Sequence, residues 1–280
     1  MEIQARAKIN WTLDVVGKRP DGYHLLDSLM QPLALCDTLL LEPADALTLT
    51  LADADGLSAG PDNLVLRAAE ALRQAAGIHS GANMLLTKRI PMGAGLGGGS
   101  ADAAAALRGL NRLWALNFPL ETLCEIGLRL GADIPFCLMD RPMRAQGIGE
   151  RLQPIACRRC FPLVLVQPCA ALSTREVFAA YHTSSVRPPD TALALRGLAA
   201  GRLDWLRDGM GNALEQASIP LRPGIAEAKQ ALLEAGAALA QMTGSGSVVF
   251  GAFDSPSAAQ AACRVLRDRF PVCILTETAL

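Results

Sequence analysis

The sequence predicts an α+β chain in two segments, residues 1–152 and 153–280, and three observations carry that prediction. The first fifty residues are rich in strand patterns. A glycine-rich stretch is followed by two helices in succession instead of by strand and helix in alternation. Apolar strand runs and helices resume after a break around 145–162. With 280 residues, 51% of them apolar, the chain has enough apolar side chain to bury a sizeable core.

Residues 3–52 alternate short apolar runs with turn signals such as Lys18-Arg-Pro-Asp-Gly22, and LTLTLA at 47–52 has the two-residue period of a strand. From Asn63 to Ala76 the period changes. Leu64, Ala68, Ala71, Leu72 and Ala75 recur at helical spacing, with Asp62 expected as the N-cap. ANMLLTKRI then reads as a strand leading to Pro91. After the glycines, Ser100 to Leu116 reads as a helix, favoured by its alanines, and Leu120 to Leu130 as a second one between Pro119 and Gly131. PFCLM at 135–139 and LVLV at 163–166 read as strands. Two or more helices are expected between 174 and 235, then a Gly/Ser loop at 244–247 before VVFGAF, a helix at 255–268 and VCILTET as the last strand.

Composition narrows the function classes. Twenty-six basic residues against 27 acidic ones give no overall field that would recruit nucleic acid or an anionic membrane, so neither is expected as a partner. The segment MEIQARAKINWTLDVV lacks a secretory pattern, and the uncharged run Ala235 to Phe253 is broken by glycines and serines, so a cytoplasmic chain without a membrane span is expected. Its eight cysteines sit at irregular spacings and suit a reducing compartment. Cys157 and Cys160 form a lone CxxC with no second pair to complete a zinc site.

The most informative stretch is PMGAGLGGGSADAAAAL, Pro91 to Leu107. Gly93 to Gly98 satisfies G-x-G-x-x-G, yet a second helix follows where a dinucleotide fold needs a return strand. A Walker A loop needs a lysine before the hydroxyl residue, and here Gly99 precedes Ser100. A flexible linker would not abut so strong a helix. What remains is an anion cradle: glycines let backbone N–H groups converge, and a helix start adds further donors and positive potential. A polyphosphate is its natural guest. Ser100 at the expected helix start suits both an N-cap and an oxygen ligand for phosphate-bound Mg²⁺.

PMGAGLGGGSADAAA resembles the central ATP-binding signature of the GHMP small-molecule kinases. Ala7-Lys8-Ile9-Asn10 resembles the first motif of that family and Gly244-Ser-Gly-Ser247 the third, so the resemblance spans the chain. Trp11-Thr12 depart from it, standing where leucine-like residues usually follow the first motif. Within the family, GKRPDGYHLLDSLMQPL at 17–33 and LGADIPFCL at 130–138 are similar to the branch whose acceptor is a cytidine-diphosphate-linked methylerythritol. The resemblance implies a two-domain GHMP-kinase fold, with a β-rich N-terminal α+β domain that carries the glycine loop and a smaller ferredoxin-like C-terminal one. It also implies ATP-dependent phosphorylation of the 2-hydroxyl of the methylerythritol unit in non-mevalonate isoprenoid synthesis; Mg²⁺ is expected alongside ATP, and monomer and weak homodimer both stay open.

Phosphoryl transfer asks a protein mainly to position reactants and neutralise charge. The resemblance makes Asp133 the general base and Lys8 the cation that keeps it ionised and polarises the reacting groups. It puts Pro91, Met92, Gly93, Ala94, Gly95 and Leu96, with Gly97, Gly98, Gly99, Ser100 and Ala101, on the phosphates. Asn63 and Lys88, flanking the elements that lead into the loop, are expected on the adenine side. Asn10 lies two residues beyond Lys8, on the same strand face, and suits a substrate hydrogen bond. Tyr23 and His24, after the Pro-Asp-Gly turn, suit stacking on a pyrimidine; the resemblance adds Thr174 and Phe178 at that end, and Thr174 is also expected to cap a helix. Two other readings are a GHMP kinase with mevalonate, homoserine or a sugar as acceptor, and a non-catalytic nucleotide-binding module. A dehydrogenase is a further enzyme alternative.

Overall fold

The computed structural model describes residues 1–53, 56–182 and 188–280. Contacts within the chain gather it into two compact units that interleave in sequence. The first holds Met1–Ala7, Leu35–Pro91 and Gly97–Asp140, the second Lys8–Ala34, Met92–Leu96 and Arg141–Leu280. Strands β1 (Glu2–Lys18) and β2 (His24–Ala44) contribute residues to both.

In the first unit the end of β2 pairs antiparallel with β4 (Gly81–Thr87), from Thr38 opposite Thr87 to Ala44 opposite Gly81, and β3 (Leu47–Ala52) runs parallel to β4. Helix α1 (Leu64–Ala76) starts at Asn63, whose Oδ1 accepts from Val65 N at 2.9 Å. Asp62, the expected cap, instead accepts from Ser58 Oγ. Helix α2 (Gly98–Leu113) begins two residues earlier than its alanines predict, from a left-handed Gly97 with φ 71°. Ser100 therefore sits inside the first turn and does not cap the helix. The buried alanines of α2, with Gly109, let its backbone come close to the sheet. A Cβ on Gly109 would lie 2.2 Å from Leu41 Cδ1.

Helix α3 (Leu120–Leu128) follows as expected, but residues 134–139 form the short helix α4 (Ile134–Met139) and not a strand. A five-residue apolar run carries no usable period. Pro135 in its first turn and Asp133 at the N-cap position are helix-start features, and a left-handed Asp140 ends it.

In the second unit β1 lies beside β2 and runs parallel to β8 (Gly211–Asn212), while β5 (Met143–Gly147) pairs with β2 and with β6 (Arg151–Pro154). A separate antiparallel sheet takes the order β11 (Val272–Glu277), β7 (Pro162–Gln167), β10 (Val249–Ala252), β9 (Leu239–Met242). Between β7 and β9 come α5 (Thr174–Ala180), α6 (Thr191–Ala200), α7 (Leu203–Gly209), α8 (Glu215–Leu221) and α9 (Gly224–Glu234), and α10 (Pro256–Leu266) joins β10 to β11. A β-α-β-β-α-β order with the last strand beside the first is the ferredoxin-like arrangement the resemblance implied. Val164, Val166, Ile225, Leu232, Phe253 and Leu266 belong to its core. Among the described residues no helix is long and apolar enough to cross a membrane.

The departure at Trp11 is a packing solution. Its fully buried indole meets Phe161 and Phe250 edge to face at 5.5 and 5.4 Å, and its Nε1 donates to Gln31 Oε1 at 2.7 Å. Trp11→Ala should leave a cavity between the two rings and strip the Gln31 carbonyl of its donor. A loss of roughly 3–5 kcal/mol in unfolding free energy is expected. Denaturant unfolding checks it, and a change below about 1 kcal/mol would contradict this account of the core.

Candidate active site

In the first unit, α3 closes onto a tight turn. Leu130 N and Gly131 N both donate to Gly127 O, and Ile134 N donates to Gly131 O. A Cβ on Gly127 would lie 2.6 Å from Ile134 Cγ2 and 3.4 Å from Leu107 Cδ1, so glycine lets α3, α4 and α2 pack closely there. Asp133 is half-buried at the end of this turn. It stands at the N-cap position of α4 without capping it, while its carbonyl accepts from Cys137 N. The turn abuts the glycine helix: a Cβ on Gly131 would come 3.9 Å from Ser100 Oγ.

The start of α2 is built to receive an anion. The helical N–H bonds begin with Ala101, donating to Gly97 O at 2.9 Å, so the N–H groups of Gly98, Gly99 and Ser100 are the orphan donors of a helix that no N-cap side chain closes. Gly99 is exposed and Ser100 half-buried, so this end is open to a ligand.

Beneath it lies a charge cluster that sequence reasoning missed. Lys88 Nζ binds Asp37 Oδ2 and, at 2.6 Å, Asp102 Oδ2, and all three residues are under a tenth exposed. Asp37 Oδ1 accepts from the backbone N–H groups of Arg89 and Ile90. Burial works against the Lys88 ammonium, but Asp102 and Asp37 outweigh it and its pKa rises. Burial, with the like charge of Asp37, pushes the Asp102 carboxyl up to about 7 despite Lys88. Oδ1 of Asp102 has no donor, which fits a carboxyl that readily holds a proton beside Asp37. One signal was legible: Asp102 is the lone acid within a run of buried alanines. Asn63 also has its polar atoms engaged, capping α1 with Oδ1 and donating from Nδ2 to Ser58 O.

In the second unit, Lys8 and Asn10 project from β1 into a polar hub. Lys8 Nζ donates to Asn10 Oδ1 at 2.9 Å, and that oxygen also accepts from Gly244 N at 3.0 Å and Thr243 Oγ1 at 3.2 Å. Asn10 Nδ2 donates to Ser28 Oγ, whose hydroxyl in turn donates to Thr12 O. The loop residues of this unit join the hub through the backbone. Lys8 N donates to Leu96 O and Val248 N to Ala94 O. Gly95 lies so close to the third motif that a Cβ on it would sit 2.2 Å from Thr243 O. Thr243 and Ser28 carry no motif of their own. Their contacts with Asn10 span 233 and 18 residues of sequence and leave no local signature.

The other expected residues of this unit divide. The His24 ring stacks on Phe178 at 4.9 Å and 22°, and meets Tyr181 edge-on at 6.1 Å. Tyr23 stays outside that stack, 60% exposed on the turn, with the Arg19 guanidinium 5.9 Å from its ring centre. Thr174 is the first residue of α5, which Ser173 precedes as the N-cap position, and its hydroxyl lies 2.9 Å from Ser245 Oγ of the third motif. The expected capping role of Thr174 is thus replaced by a bond to the Gly/Ser loop. Burial and then Lys18 lower the His24 pKa from its usual 6.5.

The chain is similar to known proteins along most of its length. Residues 63–141 match the model of the GHMP kinases N terminal domain and residues 194–272 that of the GHMP kinases C terminal region. The chain is 46% identical over 272 residues to the 4-diphosphocytidyl-2-C-methyl-D-erythritol kinase of Pelotomaculum thermopropionicum, covering 94% of this chain and 93% of that one. It is 44% identical to the enzyme of that name from Ruegeria pomeroyi, covering 97% and 96%. A crystal structure of 4-(cytidine 5'-diphospho)-2C-methyl-D-erythritol kinase superposes over the whole of both chains with a TM-score of 0.86 at 35% identity. An L. major mevalonate kinase shares the fold alone, with a TM-score of 0.74 at 15% identity over 99% of this chain and 95% of that one. With its glycine-loop helix, its Asp133 turn and relatives of this similarity along nearly its full length, the chain belongs to the GHMP kinases, in the 4-diphosphocytidyl-2-C-methyl-D-erythritol kinase family.

Proposed function

We propose that the chain transfers the γ-phosphoryl group of ATP to the 2-hydroxyl of 4-diphosphocytidyl-2-C-methyl-D-erythritol in isoprenoid precursor synthesis, releasing ADP. The observation that supports it most is within the first unit: the turn carrying Asp133 lies against the uncapped, glycine-lined start of α2. A phosphate held by the Gly98 to Ser100 amides would thus lie close to a carboxylate able to take the acceptor's proton. The hydroxyl oxygen forms the new bond to phosphorus, its proton passes to Asp133, and the bond to the ADP oxygen breaks.

Lys8 supplies positive charge to the transfer, held by Asn10, whose own place toward the substrate is part of this reading. The loop from Pro91 to Ala101 cradles the phosphates, with Asn63 and Lys88 framing the adenine side. Among the described residues no group of three His, Cys, Asp or Glu side chains could hold a metal. The donor set therefore suits a Mg²⁺ carried by phosphates and water, with the Ser100 hydroxyl as protein ligand, where it would neutralise charge on the phosphates. Tyr23, His24, Thr174 and Phe178 receive the cytidine end. The balanced charge supports a small-molecule substrate and no nucleic-acid partner, and the irregularly spaced free cysteines support a reducing, cytoplasmic setting. Incubation with Mg-ATP and the cytidyl substrate, read by ADP release and phosphorus NMR, should show a new monoester on the 2-hydroxyl. A monoester elsewhere on the molecule would sink the assignment of the acceptor group.

The His24 stack adds a pH dependence. Its lowered pKa means the folded protein favours the neutral ring. That contribution is fully present above the ordinary value of about 6.5 and is lost as pH falls through the lowered one. The KM for the cytidyl substrate should stay flat from about pH 8 to about pH 6.5 and rise only as pH falls through the lowered His24 value, where the folded ring takes up its proton. His24→Phe, which keeps the stack, should remove the rise. A rise that persists in this variant would assign it to another group.

A further inference from the structure

We propose that Asp37 and Asp102, which no motif assigns, are positioning residues that set the mouth of the glycine loop for ATP through Lys88. This deepens the kinase reading and rests on it.

The geometry is contained in the first unit. Asp37 extends from β2, Lys88 follows β4, and Asp102 lies in the second turn of α2, so one ammonium ties three elements together. The cluster grips both ends of the loop. On the entering side, Asp37 Oδ1 accepts from two consecutive N–H groups, Arg89 and Ile90, directly before Pro91. On the leaving side, a Cβ on Gly98 would lie 3.5 Å from Lys88 Nζ and 3.1 Å from Ile90 Cγ2, so the first residue of α2 rests on the cluster. The orphan amides of Gly98, Gly99 and Ser100 thus point where this cluster holds them. Two carboxylates and an ammonium are costly to bury for packing alone, and an apolar trio of the same volume would fill the space at less cost in desolvation. What such a trio lacks is the pair of acceptors that fix the Arg89 and Ile90 amides and the directed bond to α2.

The test compares Asp37→Ala, Asp102→Ala and Asp102→Asn with the wild type. Calorimetric Kd for a non-hydrolysable ATP analogue is read beside steady-state kinetics. Both alanine variants are expected to weaken analogue binding and raise the KM for ATP by about tenfold or more, with kcat and the acceptor KM within about threefold. Asp102→Asn should stay within about threefold of wild type in all of these, because its amide keeps an oxygen for Lys88 and offers an N–H to Asp37. Hydrogen exchange on the nucleotide-free wild type should show protected amides at Arg89 and Ile90. Folded alanine variants with wild-type analogue Kd would overturn the proposal, as would a loss confined to kcat, or rapid exchange at those amides. Should the alanine variants not fold, the exchange result decides. A wild type that fails to bind the analogue at all is a separate outcome, which removes the kinase reading and this proposal with it.

Discussion

Asp133→Asn is expected to lower kcat by roughly 10²- to 10⁴-fold, the range that a positioned general base contributes, while leaving the Kd for an ATP analogue unchanged. Asparagine has the same shape and suits the same turn. The Asp133 carbonyl still accepts from Cys137 N, and asparagine keeps the side-chain oxygen and length of the aspartate. The fold and the α2 donors should therefore survive, and the change falls on the ability to accept a proton. Should the transition state be loose, with little proton removed as the phosphoryl group moves, the loss lies toward the lower end of that range. ADP release and calorimetry on one preparation separate the two effects. Near wild-type turnover would remove Asp133 from the chemistry, and loss of analogue binding would make it part of the phosphate cradle instead.

Gly95→Ala is expected to do damage of a different kind. Gly95 has φ 77°, a left-handed conformation that costs an alanine roughly 1–2 kcal/mol. Its Cβ would also fall 2.2 Å from the backbone oxygen of Thr243, an atom that cannot swing aside as a side chain does. To relieve this the loop must withdraw from the third motif. That strains the Val248 to Ala94 and Lys8 to Leu96 backbone bonds on either side and disturbs the hub that holds Lys8. Roughly 2–4 kcal/mol of stability should be lost, with ATP-analogue binding weakened about tenfold or more. Gly236→Ala is the control: its φ is 92° but nothing lies within 4 Å of the added methyl, so it should carry the conformational cost alone and leave nucleotide binding intact. Equal effects of the two variants on binding would show that the close approach to Thr243 has no bearing on the loop.

The sequence made the glycine loop, the helix after it and the three motifs legible, because each is a local pattern with a local cause. Positive-φ glycines, an alanine run and a proline before a helix declare themselves within a few residues. The run PFCLM misled because five apolar residues suit a strand as well as a buried helical turn, and Pro135 opens a helix and not a strand. The capping positions were misplaced by one residue at Asp62 and at Thr174, and at Ser100 by three, where glycines displaced the helix start. What no pattern declared was the polar wiring. Nothing beside Lys88 in the sequence announces Asp37 and Asp102, which β2 and α2 bring to it across 51 and 14 residues. Nothing near Asn10 in the sequence announces the bonds its side-chain oxygen accepts from Thr243 and Gly244, 233 and 234 residues further along. Such bonds depend on tertiary register, which a single sequence encodes only through the fold.

The central claim is the acceptor, and one measurement bears on it most directly: ADP release from Mg-ATP in parallel reactions with 4-diphosphocytidyl-2-C-methyl-D-erythritol, mevalonate, homoserine and galactose. The predicted result is turnover with the cytidyl compound alone, lowered about a hundredfold or more in Asp133→Asn. Turnover confined to one of the other three would contradict the assignment while leaving the chain a GHMP kinase.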